Sequence, residues 1–299
     1  MLSGCELGRQ PDQRSRKSSE PALVSWAVVR ELKRLLIHRD EEVRLDLAAL
    51  NIALVEFPAL DPEPYVELLD SHARELKALT RGCSGAEFVR AANHYFFENL
   101  GFRGNQVDYY HSHNSCLNQV LLNRTGIPIT LSLVYIEIAR RLQRPVVGIG
   151  LPGHFLVRYE EDSYTSWIDC FRARELSFEE CRELALETAR IDILSVPSAL
   201  APVTKWQLAV RMLNNLRNVY FQKRDWKRAA WVLDRLIEAM PQSALERKQR
   251  GVLRLESGDE VGALQDLEIY LMVASPSDED WPQLAEQAAR LRRPGGNVN

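Results

Sequence analysis

The 299 residues are 45% apolar and carry a formal net charge of −3, which is ample material for packed cores in about two domains. So small a charge excludes a broad polyanion-binding face, so neither nucleic acid nor an anionic membrane is an expected partner. No apolar run reaches the ~18–20 residues needed to span a bilayer, and the five cysteines (Cys5, Cys83, Cys116, Cys170, Cys181) form no CxxC pair, a pattern of reduced thiols in a cytoplasmic protein.

Residues 1–22 are polar, with a small basic cluster at Arg14, Arg16 and Lys17, and read as a disordered tail. Leu2-Ser3-Gly4-Cys5 has the form of a lipoprotein box, but no apolar stretch precedes it, so a leader is not expected. From residue 23 to 102 the pattern is helical. Trp26, Val29, Leu32, Leu35 and Leu36 make one stripe. The run 42–57 makes a second, closed by Pro58, and Tyr65–Leu79 follows as a third. Ser84 with Glu87 three places on caps a fourth helix over Ala86–Leu100, and Gly101 stops it. The aromatics Phe88, Tyr95, Phe96 and Phe97 read as core. The loop 104–113 holds Tyr109, His111 and His113. With no second ligand cluster, it reads as a polar loop near the later His154 cleft, and no metal is expected.

The segment 114–171 organises the rest. Leu117, Val120 and Leu121, then Leu131, Val134, Tyr135, Ile138 and Leu142, recur at helical spacing. Gly126-Ile127-Pro128 starts the second of these helices, since proline suits a first turn, and Pro145 stops it. Val146–Leu151, His154–Tyr159 and Ser166–Asp169 read as three strands. The order is helix, strand, strand opening on a histidine, strand closing on an aspartate. Thiol hydrolases and acyl transferases use such an order: a thiol at the helix start, a histidine base and an orienting carboxylate. The region resembles the transglutaminase-like (papain-like) core, in which a Gly-x-Cys precedes the His and Asp. Gly126, His154 and Asp169 match that pattern, and Pro128 stands where the cysteine would be.

The residues Asn114-Ser115, Gly126-Ile127-Pro128-Ile129, Leu131-Ser132, Ala139-Arg140-Arg141-Leu142, Gly150-Leu151-Pro152-Gly153-His154-Phe155-Leu156 and Ile168-Asp169 resemble more closely the bacterial SirB-type proteins. That resemblance implies a transglutaminase-like domain over 23–198, with its core at 114–171, followed by tetratricopeptide repeats.

Ser177 and Glu180 read as a second capping box, and Pro197 and Pro202 bracket a linker. From 203 to 292 the sequence has the 34-residue tetratricopeptide period: Asp225 and Asp259, Ala229 and Ala263, Arg217 and Gly251 hold equivalent positions. Two copies are fewer than the ~3 a free array needs. They are therefore expected to pack on the N-terminal domain or on a final helix at Trp281–Leu291, with residues 294–299 frayed. The fold class is thus α+β with a C-terminal all-α part.

Two functions compete. The first is a non-catalytic or regulatory module that binds a protein or peptide through the repeats and needs no cofactor. The second is a thiol protease, amidase or acyl transferase using Cys116, His154 and Asp169, although Cys116 falls one helix too early. Thr130 and Ser132 are the hydroxyl candidates on the core helix.

Overall fold

The computed structural model describes residues 26–292 except 152, 162, 163, 191 and 194. The expected N-terminal tail and the frayed 294–299 lie outside the described residues, as do the side chains of Trp26 and Val29. Helix α1 (Trp26–His38) buries Leu32, Leu35 and Leu36, and α2 (Leu45–Ile52) is buried on nearly every side. The helix expected over 42–57 is shorter than its apolar pattern. Asp40 accepts the backbone N–H of Glu42, a local turn that competes with helix before residue 45, and a 3-10 turn over Ala53–Val55 ends the element. Helix α3 (Glu63–Leu79) follows with Pro64 in its first turn.

Helix α4 (Gly85–Asn93) starts at the expected capping box: the Glu87 carboxylate accepts the Ser84 N–H at 2.8 Å, and the Ser84 hydroxyl accepts the Glu87 N–H at 3.5 Å. Beyond Asn93 it widens into a π-helical turn, His94–Asn99, rather than running on as one α-helix. The wider turn buries the consecutive Tyr95 and Phe96, and Phe96 stacks on Phe102 with ring centroids 4.4 Å apart.

The two-residue strands β1 (Arg103–Gly104) and β2 (Thr125–Gly126) pair in parallel on either side of α5 (Leu117–Asn123), a ladder too short to leave a sequence pattern. The core helix α6 (Pro128–Arg141) then leads into one antiparallel sheet in the order β3 (Val146–Ile149), β4 (Leu156–Glu161), β5 (Tyr164–Asp169) and β6 (Arg174–Leu176). The fourth strand adds to the three that alternation indicated. β4 begins two residues later than expected, which leaves His154 in the turn before it. Helix α7 (Phe178–Ala189) opens on the Ser177–Glu180 box.

Helix α6 is anchored by charge as well as packing. At its last turn Arg141 donates to Asp46 of α2 at 2.6 Å, to Asp70 of α3 at 2.5 Å and to its own helix's Glu137 at 2.6 Å. Asp46 and Glu137 are fully buried. Burial would raise the Asp46 pKa, but Arg44 and Arg141 outweigh it and hold the carboxyl below its ordinary value. Arg141→Met is expected to cost about 3–5 kcal/mol in urea unfolding, because it strips a cation from two buried carboxylates.

The repeats form two helix pairs, α8 (Lys205–Gln222) with α9 (Trp226–Ala239) and α10 (Ala244–Glu256) with α11 (Glu260–Val273), closed by α12 (Trp281–Leu291). The period is visible atom by atom. Asp225 and Asp259 cap α9 and α11 by accepting the N–H groups of Arg228 and Gly262, and Ala229 and Ala263 are fully buried. Buried Asp266 of α11 accepts from Arg247, Arg250 and Arg254 of α10 at 2.7–2.9 Å, tying the second pair together. The apolar core of the N-terminal half continues through α8 and α9 to Leu253, and α12 covers Leu267 and Tyr270 with Leu284 and Ala288. Ala263→Trp is expected to destabilise the chain by about 1–3 kcal/mol or more through overpacking, read as a lowered thermal midpoint.

Candidate active site

The turn between β3 and β4 sets the site. Gly153 has φ +75°, and a Cβ there would lie 3.2 Å from the Thr188 carbonyl oxygen, so both conformation and space ask for glycine immediately before His154. Strands β4 and β5 pair with Val157 opposite Ile168, which brings the entry to β4 beside the exit of β5. His154 Nε2 lies 2.9 Å from Asp169 Oδ2, both residues buried. The other oxygen, Asp169 Oδ1, accepts the backbone N–H groups of Phe171 and Arg172 at 3.0 Å each. Burial pushes the Asp169 pKa up, but His154 and these two amides outweigh it and hold the carboxyl below its ordinary 3.8.

His154 faces a cleft of about 330 Å³, within the size range of small-ligand sites. Across it stands the start of α6: Ile127, Pro128 and Ile129 form the apolar wall. Thr130 turns its hydroxyl away, donating to the Asn114 carbonyl at 2.6 Å, and Ser132 is buried beside the Cys170 thiol. A Cβ on Gly126 would sit 2.9 Å from Thr130 Oγ1, so the helix start packs closely only with glycine there. Tyr109, from the polar loop, forms another part of the rim, and Phe171 lies edge-on to both Tyr109 and His154.

The far side comes from α8, the helix that leads into the repeats. Arg211 and Asn215 of α8 line the cleft, and Arg211 Nη2 donates to the carbonyls of both Leu151 and His154, clipping the turn that presents the histidine. The Arg211 guanidinium also lies over the Phe155 ring, 5.5 Å from its centroid. Sequence patterns missed Arg211 because it sits 57 positions from His154. Tyr109 was visible as one of a run of loop aromatics.

The structure brings His154 and Asp169 together but sets Cys116 apart. Cys116 is fully buried at the start of α5. Its thiol donates to the Ser112 carbonyl at 3.5 Å, and burial and Glu56 push its pKa up. It does not line the His154 cleft. Cys170 and Cys181 are also buried, their thiols pushed up by burial, Cys181 to about 12. His113 donates its backbone N–H to His111 Nδ1 at 3.2 Å, and among the described residues no group of three potential metal ligands gathers.

A histidine in the turn leading into one strand, paired with a carboxylate at the end of the neighbouring antiparallel strand and facing the first turn of a core helix, is the arrangement of a transglutaminase-like domain, here followed by a helical repeat. Residues 63–214 match the transglutaminase-like superfamily and residues 216–289 the tetratricopeptide repeat, and the chain belongs to that superfamily, among the proteins named UPF0162. A UPF0162 protein of Xylella fastidiosa (strain Temecula1 / ATCC 700964) is 38% identical over 239 residues, covering 78% of this chain and 85% of that protein. One of Pseudomonas aeruginosa is 28% identical over 248 residues, covering 83% and 90%. The human F-box only protein 21 is similar over a shorter stretch, 35% identical over 108 residues, covering 33% of this chain and 17% of that protein.

Asp169→Ala is expected to lower stability at neutral pH by about 1.5–3 kcal/mol, the worth of hydrogen bonds to a buried charge. Because the folded carboxyl titrates below 3.8, its contribution is full above that pH and is lost as pH falls through the folded value. The gap between parent and variant in urea midpoints should therefore narrow as pH drops from about 4 towards 2.

Proposed function

We propose that this chain is a non-catalytic, SirB-type interaction module of the cytoplasm, which binds a protein or peptide partner through its repeat region. The observation that carries this reading is the helix start opposite His154: it presents Pro128 and no thiol. A histidine–aspartate pair can take a proton but forms no covalent intermediate without a nucleophile in reach. Cys116 is poorly suited to that part, since burial and Glu56 outweigh the pull of Arg228 and raise its pKa, and a buried protonated thiol is a poor nucleophile. Partner binding is supported by a groove of about 380 Å³ between the helix pairs and α12, lined in part by Phe221, Val252, Leu284 and the 40%-exposed Trp226. Repeat arrays present such surfaces to peptides and helices. Free thiols at all four described cysteines support the cytoplasmic setting. Among the described residues no helix is long and apolar enough to cross a membrane.

The test is Cys116→Ser. A buried hydroxyl without a partner costs about 1–3 kcal/mol, so the variant should fold, should restore a strain lacking the gene and should keep partner binding. In the parent, Cys116 should react slowly with a thiol-directed probe at neutral pH. A folded Cys116→Ser protein, present at normal level, that fails to restore the strain would overturn the proposal, as would fast labelling that is lost in His154→Ala.

A further inference from the structure

The cleft beside His154 contains a cation with no anion to answer it. Among the described residues, no carboxylate pairs with Arg211, and no aspartate or glutamate lines the cleft. Both contacts of its guanidinium to oxygen run through Nη2 to backbone carbonyls, which leaves Nη1 and Nε with no described acceptor. Partial burial acts in the same direction, drawing the Arg211 pKa below its usual value. By contrast, other arginines packed between helices find buried carboxylates: Arg141 has Asp46 and Glu137, and Arg247 and Arg250 have Asp266.

We infer that the cleft binds a small organic ligand through a single carboxylate, docked on Arg211. The inference deepens the binding-module reading and rests on it, by naming what the His154 cleft of the module takes. Three features select the ligand. The free charge is one guanidinium, because His154 already has Asp169 as its partner. One guanidinium matches a monoanion better than a phosphate dianion, which would leave a charge unanswered in a partly closed site. The cleft has an apolar wall at Ile127 and Ile129, with Phe155 under the guanidinium, and suits a short aliphatic or amide stem. Asn215 supplies a neutral donor and acceptor beside it. A free acid and the C-terminus of a peptide share this chemistry.

The experiment is calorimetric titration of the full chain with N-acetylglycine, N-acetylglycinamide and inorganic phosphate. The acid should bind at least about tenfold more tightly than its amide, the scale expected of one charge-assisted contact, and more tightly than phosphate. Arg211→Gln should erase the preference, and Arg211→Lys should keep part of it. A peptide ending in a free glycine, set against its amidated form, separates the sources: a further gain of about tenfold over N-acetylglycine identifies a peptide terminus, and no gain identifies a small acid. Equal binding of acid and amide to the unaltered chain overturns the inference, whatever Arg211→Gln does to the fold. So does an acid preference that survives in a folded Arg211→Gln, and phosphate binding as tight as the acid overturns the carboxylate assignment. Hydrolysis of N-acetylglycinamide, followed by NMR in the same samples, is a separate result that would instead overturn the non-catalytic reading.

Discussion

The docking of α8 on the N-terminal half is the contact on which both halves depend. Its buried face (Leu208, Ala209, Met212, Leu213, Leu216) belongs to the same apolar core as α1, α2 and α6. Polar contacts fix its angle at both ends. At the start, Glu41 accepts the Lys205 N–H at 2.8 Å and the Trp206 indole donates to the Leu36 carbonyl. At the end, the Tyr220 hydroxyl donates to Glu56 at 3.0 Å, and Arg228 of α9 pairs with the same carboxylate. Two repeats alone bury too little surface to stand free. Here they need not, because α8 and α9 share the apolar core of the N-terminal half. The same packing carries Arg211 to the turn that holds His154.

Burial acts with opposite results at the thiols and the carboxylates. At Cys116, Cys170 and Cys181 desolvation outweighs every group that favours the thiolate, including Arg228 near Cys116 and Arg174 near Cys181, so their pKa values rise. Asp46, Asp169 and Asp266 are buried as deeply, but each meets arginine, histidine or backbone N–H donors and stays charged below the ordinary carboxylate value. The molecule therefore keeps buried anions that brace helices and strands, and buried thiols whose pKa values are raised. A site built for nucleophilic sulfur needs the reverse at the helix start, where this chain has the Pro128 ring.

What the sequence discloses of this fold follows the range of each interaction. The start of α6 was legible because proline and glycine act locally, and the Ser84 and Ser177 caps because their partners lie three residues away. His154 and Asp169 could be paired in advance because a hairpin's register follows from alternation. Asp225 and Asp259 were visible as a repeat, though not as caps. The β1–β2 ladder, the three-residue β6 and the π-turn after Asn93 were not legible: the strands are too short to show a period, and the turn answers to aromatic packing around Phe102. Arg211 lay furthest out of reach, since it meets the histidine turn from a helix 57 positions further along the chain.

That contact makes the cleft a point of linkage between the halves. Arg211 lines the cleft and holds the Leu151–His154 turn with one nitrogen. Lifting α8 would remove a wall of the cleft, its cation and the clip on the histidine turn together. A ligand that needs Arg211 in place binds only the docked form, and so stabilises docking by RT ln(1 + [L]/Kd), about 2.7 kcal/mol at a hundredfold excess over Kd. The groove at α12 is lined by Phe221 and Trp226, at the end of α8 and the start of α9. A ligand in the His154 cleft would therefore bear on the helices that frame the α12 groove by steadying α8, with no intervening chain of moving side chains required.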